Sequence, residues 1–169
     1  MKAAIVLGVI FMSCICRTYG GANTFTSCPN NWVARDGSCY FFYHTPFSFI
    51  EAEHYCQSLK SHLIHIESAS ENNFIIDRLR AFIPHEAGWW IGLSDQQVQG
   101  EFLWTDTNAE LSGYSNWGVG EPSDVNHSED CVHMWMPKNY TWGDFQCRHP
   151  LQFICEMSGH VDGEPNMVG

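Results

Sequence analysis

Carboxylates crowd the C-terminal half of this 169-residue chain. Glu121-Pro122-Ser123 is followed by Glu129-Asp130-Cys131, then by Trp142-Gly143-Asp144, then by Cys147 and Cys155. Acids carried at loop ends, with cysteines to tie the loops, suit a hard cation. Calcium takes six to eight oxygens at about 2.3–2.6 Å. The pattern predicts a calcium site on a secreted domain. Catalysis is not expected: Gly-x-Ser-x-Gly and His-Glu-x-x-His are both missing from the sequence. His62 and His65 sit in a Ser-His-Leu-Ile-His-Ile run that reads as a turn into a strand, with no further zinc ligand placed nearby. His127 and His133 lie near the acids and read as surface histidines whose protonation, with that of the carboxylates, would weaken binding at acidic pH.

Those acids need a frame and a compartment. The chain opens Met1-Lys2, then runs apolar from Ala3 to about Cys16, with Thr18 and Gly20 placed for cleavage after Gly20 and Ala22 offering an alternative cleavage point. This reads as a secretory signal peptide over 1–20. The run is short of the ~20 residues a spanning helix needs, so no membrane insertion is expected. Its removal leaves six cysteines, Cys28, Cys39, Cys56, Cys131, Cys147 and Cys155, an even number that suggests three disulfides in a secreted, extracellular protein. Six cysteines allow fifteen pairings, and composition does not choose among them. It also leaves six basic residues against nineteen acidic ones, a formal charge of −13, which excludes nucleic acid as a natural partner. The charge favours cations, basic surfaces or mineral faces, and equally describes a soluble acidic surface.

The elements follow from periodicity. Residues 37–43 have strand composition. Ser48 to Glu51 is a capping box opening a helix to about Leu59, with Phe49, Ala52, Cys56 and Leu59 as its buried stripe. Ser68 to Glu71 opens a second helix to about Phe82, with Phe74, Ile75, Leu79 and Phe82 inward and Pro84 ending it. Short strands are expected at 89–93, 102–104, 131–135 and 153–155. The stretch from Thr105 to Glu129 has no clear element, and a loop that long in a compact domain is usually functional. The class is α+β. The expected layout is a short N-terminal segment at 21–27, one domain over 28–156 and a flexible tail over 157–169.

Trp90-Ile91-Gly92-Leu93, the Glu121-Pro122 triplet, Glu129-Asp130-Cys131, the Trp142 triplet and the six cysteines resemble a C-type lectin-like domain, over about Cys28 to Glu156. Among such proteins the chain is most similar to small single-domain invertebrate lectins of the perlucin-like kind. The resemblance implies two helices, short antiparallel sheets, a long ligand-binding loop region and the pairs Cys28–Cys39, Cys56–Cys155 and Cys131–Cys147. The second bond would close a loop of roughly 100 residues, worth about 4–5 kcal/mol on loop-entropy grounds. The third would tie the loop of Glu129 to that of Asp144.

The resemblance also implies a cofactor, Ca2+, held by Glu121, Ser123, Glu129 and Asp144. The same residues would bind two vicinal sugar hydroxyls, and a cis peptide would precede Pro122. Two positions depart from the family pattern. Ser123 stands where Asn or Asp is usual, and Gly143 replaces the usual Asn. A hydroxyl is a shorter-reaching ligand than an amide carbonyl, and glycine offers none. Binding is expected to be weak. Glu121 as acceptor with the Ser123 hydroxyl as donor suits mannose-like diols. A second, structural calcium position would use Asp95, Asp124 and Asp130, with Gln99 where a glutamate is usual. Glu164-Pro165-Asn166 spells a mannose-type triplet beyond the last cysteine, with no partner acids, and is assigned no role. Asn126-His127-Ser128 and Asn139-Tyr140-Thr141 are glycosylation sequons inside the ligand loops. Two functions compete. One is a secreted lectin for glycans, microbial ones among them, acting in innate recognition. The other is an extracellular matrix or biomineral protein with a degenerate site, meeting calcium carbonate or matrix proteins.

Overall fold

The computed structural model describes residues 25–81 and 88–161. The expected signal peptide, Phe82, Pro84 and the Glu164-Pro165-Asn166 triplet lie outside them. In chain order the elements are β1 Thr26–Ser27, β2 Val33–Arg35, β3 Ser38–Phe47, α1 Phe49–Ser58, β4 His62–Leu63, α2 Ala69–Ala81, β5 Gly88–Ser94, β6 Leu103–Trp104, β7 Cys131–Trp135, β8 Thr141–Phe145, β9 Leu151–Ser158 and β10 His160–Val161. The α+β class is observed. The larger sheet runs β2-β3-β9-β5-β7-β8, with β4 added to β9 and β6 to β5. All of its pairings are antiparallel except β5 with β9.

Both helices start where the sequence predicts. The Ser48 N–H donates to Glu51 Oε2 at 2.9 Å, closing the first capping box. At α2 the Glu71 N–H donates to Ser68 Oγ at 3.1 Å, but the Glu71 carboxylate accepts from Glu67 rather than Ser68. Two members of the expected stripes are not fully buried. Leu59 falls past the end of α1 as its C-cap and is exposed. Phe74 packs against the core but is only half-buried, with the Arg35 and Arg78 guanidiniums 4.7 and 5.1 Å from its ring on the open side.

Strand β5 divides the interior. All seven of its residues are buried. Trp89, Ile91 and Leu93 pack with Ile75 and Leu79 of α2, whereas Trp90 packs with Phe49, Ala52 and Cys56 of α1. The period-two alternation thus feeds two cores, one on each face of the strand. Gly92 is required here: a Cβ would lie 2.7 Å from the Leu63 carbonyl oxygen, and the Gly92 N–H donates to the Ile64 carbonyl at 2.8 Å.

The disulfides are Cys28–Cys39, Cys56–Cys155 and Cys131–Cys147. Two expectations about the ends need correction. Met157 and Ser158 continue β9, and β10 pairs with β1 through Ser27–His160 and Thr26–Val161. The domain therefore begins before Cys28 and runs past Glu156. The flexible-tail expectation fails at 157–161, and residues 162–169 lie outside the described ones. Hydrophobicity alone did not mark these strands, because what holds them is a ladder between the two ends.

Candidate functional site

The long segment between β6 and β7 is anchored rather than free. Trp142 of β8 is fully buried, and its indole N–H donates to Asn72 Oδ1 of α2 at 3.0 Å. Trp104, Tyr114 and Trp117 meet its ring edge-on at 5.9–6.1 Å. The Trp142 N–H donates to the Asn116 carbonyl, and the Gly118 N–H donates to the Trp142 carbonyl, both at 2.8 Å. Trp117 therefore makes a one-residue parallel bridge to β8. A turn from the Glu121 N–H to the Gly118 carbonyl, at 3.0 Å, then delivers Glu121 beside Gly143. The Glu121–Pro122 peptide is cis.

Glu121, Ser123, Glu129 and Asp144 all line one cleft of about 300 Å³, with Val125, His133, Trp135 and Phe145. The four residues that the resemblance nominated are thus brought together. Asp144 is buried, and its two oxygens accept the Ser123 and Asp124 N–H groups at 2.7 Å each. Glu129, also buried, accepts the Val125 N–H at 2.9 Å and the Ser123 hydroxyl at 3.1 Å through Oε2. The Ser123 hydroxyl is therefore engaged by a neighbouring carboxylate, not presented freely to the cleft. The loop bends through left-handed backbone at Asp124, Asn126 and His127, with φ of 41, 56 and 52°.

Glu121 is the least satisfied of the three acids. Its Oε2 is buried with no hydrogen-bond partner. Burial, and then the Asp144 carboxylate beside it, push its pKa above the ordinary glutamate range. The missing side chain at Gly143 makes room for it: a Cβ there would stand 3.3 Å from Glu121 Cδ and 3.4 Å from Oε2.

The proposed second position is less assembled. Asp95 Oδ2 accepts from Gln99 Nε2 at 2.9 Å and from the Gly100 N–H at 2.8 Å, while its Oδ1 is buried and unpartnered. Burial raises its pKa, and the charges of Asp130 and Asp144 add to this. Asp124 lies 2.9 Å from His127 Nδ1 through Oδ2 and leaves Oδ1 unpartnered. Asp95, Asp124 and Asp130 do not line the cleft of Glu121.

Whether calcium fits these residues can be judged from the donors. Three carboxylates face one cleft, and orphaned carboxylate oxygens on Glu121, Asp95 and Asp124 have the chemistry of calcium ligands. Yet among the described residues no three His, Cys, Asp or Glu side chains are grouped closely enough to hold a metal ion as they stand. Backbone amides of residues 123–125 take the oxygens that a cation would use. The donor set fits calcium, provided these amides release it.

Three lining residues were not singled out in the sequence: Val125, Trp135 and Phe145. Their types look like ordinary strand and loop residues, and only the pairing of β7 with β8 puts them beside the acids. The expectation for His133 is corrected. It is 6% exposed, and burial lowers its pKa to about 4, so it is neutral at physiological pH. His127 is exposed as expected. Both sequon asparagines are exposed, and Asn139 Oδ1 accepts from Arg80 at 2.7 Å.

The Lectin C-type domain family model matches residues 45–157. Perlucin-like protein from Mytilus galloprovincialis is 31% identical over 158 residues, spanning 92% of this chain and all of that protein. Among solved structures, the cow C-type carbohydrate-recognition domain of CD23, determined in the presence of a GlcNAc2Man3 oligosaccharide, shares 34% identity. Its TM-score is 0.71, over 80% of this chain and 99% of that one. A calcium-independent type II antifreeze protein has a similar backbone, with TM-score 0.70 and 26% identity over 80% of this chain and 98% of that one. A family match across more than half of the chain, on a backbone shared with solved carbohydrate-recognition domains, means that this chain belongs to the C-type lectin domain family.

Proposed function

We propose that this chain is a secreted, calcium-dependent carbohydrate-binding protein that takes mannose-like vicinal hydroxyls of glycans, in innate recognition of microbial surfaces. The observation that carries the reading is the convergence of Glu121, Glu129 and Asp144 on one cleft, with Glu121 Oε2 buried and unpartnered. A divalent cation there would relieve the repulsion between Glu121 and Asp144. It would be held by Glu121, Ser123, Glu129 and Asp144, with Asp95, Asp124 and Asp130 as the ligands of a second, structural ion. Bound calcium supplies a Lewis-acidic centre for two sugar hydroxyls. The protein's own part is to present carboxylate acceptors around that centre and to exclude water with the surrounding side chains. Binding, not catalysis, is the activity.

Secretion rests on the leader sequence and is supported by three disulfides, which persist in oxidising compartments. Among the described residues no helix is long and apolar enough to cross a membrane. Asn126 adjoins Val125 of the cleft, so a glycan there would crowd the mouth.

A second reading is favoured by one observation. Both Asp144 oxygens and Glu129 Oε2 are already satisfied by amides of the loop, which is how a site that has lost calcium would be held. On that reading the acidic surface meets a matrix or calcium carbonate, and sugar is not recognised. Calorimetric titration with calcium, alone and with mannose or galactose, separates the two. Calcium heat and sugar heat, both abolished by chelator, support the lectin. Mineral association that persists in free sugar, with no sugar heat, supports the alternative.

A further inference from the structure

The carboxylate wall of the cleft stands over a floor of different chemistry. The register of β7 with β8 sets His133 opposite Gly143, Trp135 opposite Thr141 and Cys131 opposite Phe145. Side chains at these positions share one face of the sheet. With no side chain at Gly143, three rings run together there. The His133 ring lies 5.3 Å from Phe145 at an interplanar angle of 22°, and 6.1 Å from Trp135 at 29°. All three line the cleft, and both Trp135 and Phe145 are only half-buried. Burial keeps the His133 ring neutral at physiological pH, and the Lys138 ammonium stands 5.5 Å from the Trp135 ring, over one of its faces. Phe145 also packs against the core on the side of Trp90, but it and Trp135 stay partly open beside three acids, and such a mix of apolar floor and few polar groups is typical of ligand sites.

We infer that this strip, centred on Trp135 and Phe145, is a subsite for the apolar ring face of a second sugar residue, the one linked to the sugar held at Glu121, Glu129 and Asp144. The inference rests on the lectin reading above. Two features commit the occupant to a sugar ring rather than to a protein side chain. The floor is continuous with the acids in one cleft, so a ligand that engages the wall reaches it without a break. At about 300 Å³ the cleft is also at the small end of small-molecule sites, too confined for a protein surface. A pyranose presents an axial-hydrogen face that can lie on an aromatic ring while its hydroxyls remain solvated. Ring stacking would replace, from below, part of the recognition that the absent amide at position 143 cannot supply.

The test is calorimetry in calcium with two pairs of probes, methyl α-mannoside with α-linked mannobiose and methyl β-galactoside with lactose. It is run on the intact protein and on Trp135→Ala and Trp135→Phe. One disaccharide should bind roughly three- to tenfold tighter than its monosaccharide, the scale of one ring stacked on an aromatic side chain. That ratio should collapse towards one in Trp135→Ala and be largely kept in Trp135→Phe. The ratio is internal to each variant, so a loss of folded protein does not imitate the effect. Equal affinity for both members of each pair, or a preference that survives Trp135→Ala, overturns this inference and leaves the lectin reading standing. Binding of none of the four sugars overturns both.

Discussion

Glu121→Gln should make the calcium-free protein more stable while removing its response to calcium. Glu121 Oε2 is buried without a partner, and the neighbouring Asp144 carboxylate opposes its ionisation. Glutamine keeps the shape, removes one of the two like charges and brings an amide that can donate to Asp144. The cleft mouth is open to solvent, which screens the pair, so the gain is about 0.5–1 kcal/mol rather than a buried-pair value. For a domain of this size that is a rise of about 1–4 °C in Tm, in EDTA at pH 7. The pH dependence has a definite sign. Glu121's folded-state pKa is raised above its unfolded value, so its charged form is the destabilising one. Its penalty is full above the folded pKa and vanishes below the ordinary glutamate range. The advantage of Gln should therefore shrink as pH falls from 7 to 4. Calcium reverses the ranking. If Kd is about 1 mM, as in weak extracellular modules, 10 mM calcium stabilises the natural protein by about 1.4 kcal/mol. The variant should gain little. The assay is thermal unfolding of both proteins, in EDTA and in calcium, across that pH range. A lower Tm for Glu121→Gln in EDTA, or an undiminished gain with calcium, would refute the reasoning.

Other substitutions probe the frame and the loop. Gly92→Ala forces a Cβ against backbone at 2.7 Å in the central strand and should destabilise by about 1–3 kcal/mol, read as a lower urea midpoint at constant m. Gly143→Asn adds a carbonyl ligand and requires Glu121 to give way by a few tenths of an ångström. Calcium affinity measured by calorimetry should rise, and no change would show that position 143 is not where the weakness lies. Removing the Asn126 acceptor with Asn126→Gln, in a glycosylating host, should strengthen glycan-array signal, and an unchanged signal would rule out crowding of the cleft mouth. Asn72→Ala leaves the buried Trp142 indole N–H without an acceptor and should cost about 1–3 kcal/mol in chemical unfolding. A neutral result there would mean that Asn72 is not the anchor of β8.

Local chemistry made much of the frame legible. Ser48 with Glu51, and Ser68 with the Glu71 amide, act at the two helix starts where their spacing places them. The tryptophan-rich run at 89–93 is buried on both faces, as its composition suggests. What escaped was whatever depends on a distant partner. Thr141–Phe145 reads as a polar and aromatic loop, yet it is β8, because Cys131–Trp135 supplies its ladder. Trp117 looks like one more loop aromatic, yet its bridge to Trp142 places Glu121. Phe74 packs against the core as its spacing suggests, yet two guanidiniums cover the part of its ring left open, since long cationic side chains can screen an aromatic face as well as packing can.

The sequence by itself determined the class of the molecule: an acidic, cysteine-tied α+β domain whose acids, read with the family resemblance, converge at one end. Residue type and spacing suffice for this, because helix caps, strand alternation and turn residues act over a few positions. Tertiary structure alone decided the state of the site. It engages the Ser123 hydroxyl with Glu129, ties both Asp144 oxygens to loop amides, leaves Glu121 Oε2 without a partner, and lays His133, Trp135 and Phe145 beneath the acids. The hydrogen bonds among them join residues 6–21 positions apart. Burial and hydrogen bonding are shared among all of them at once, and no local pattern can encode such a balance.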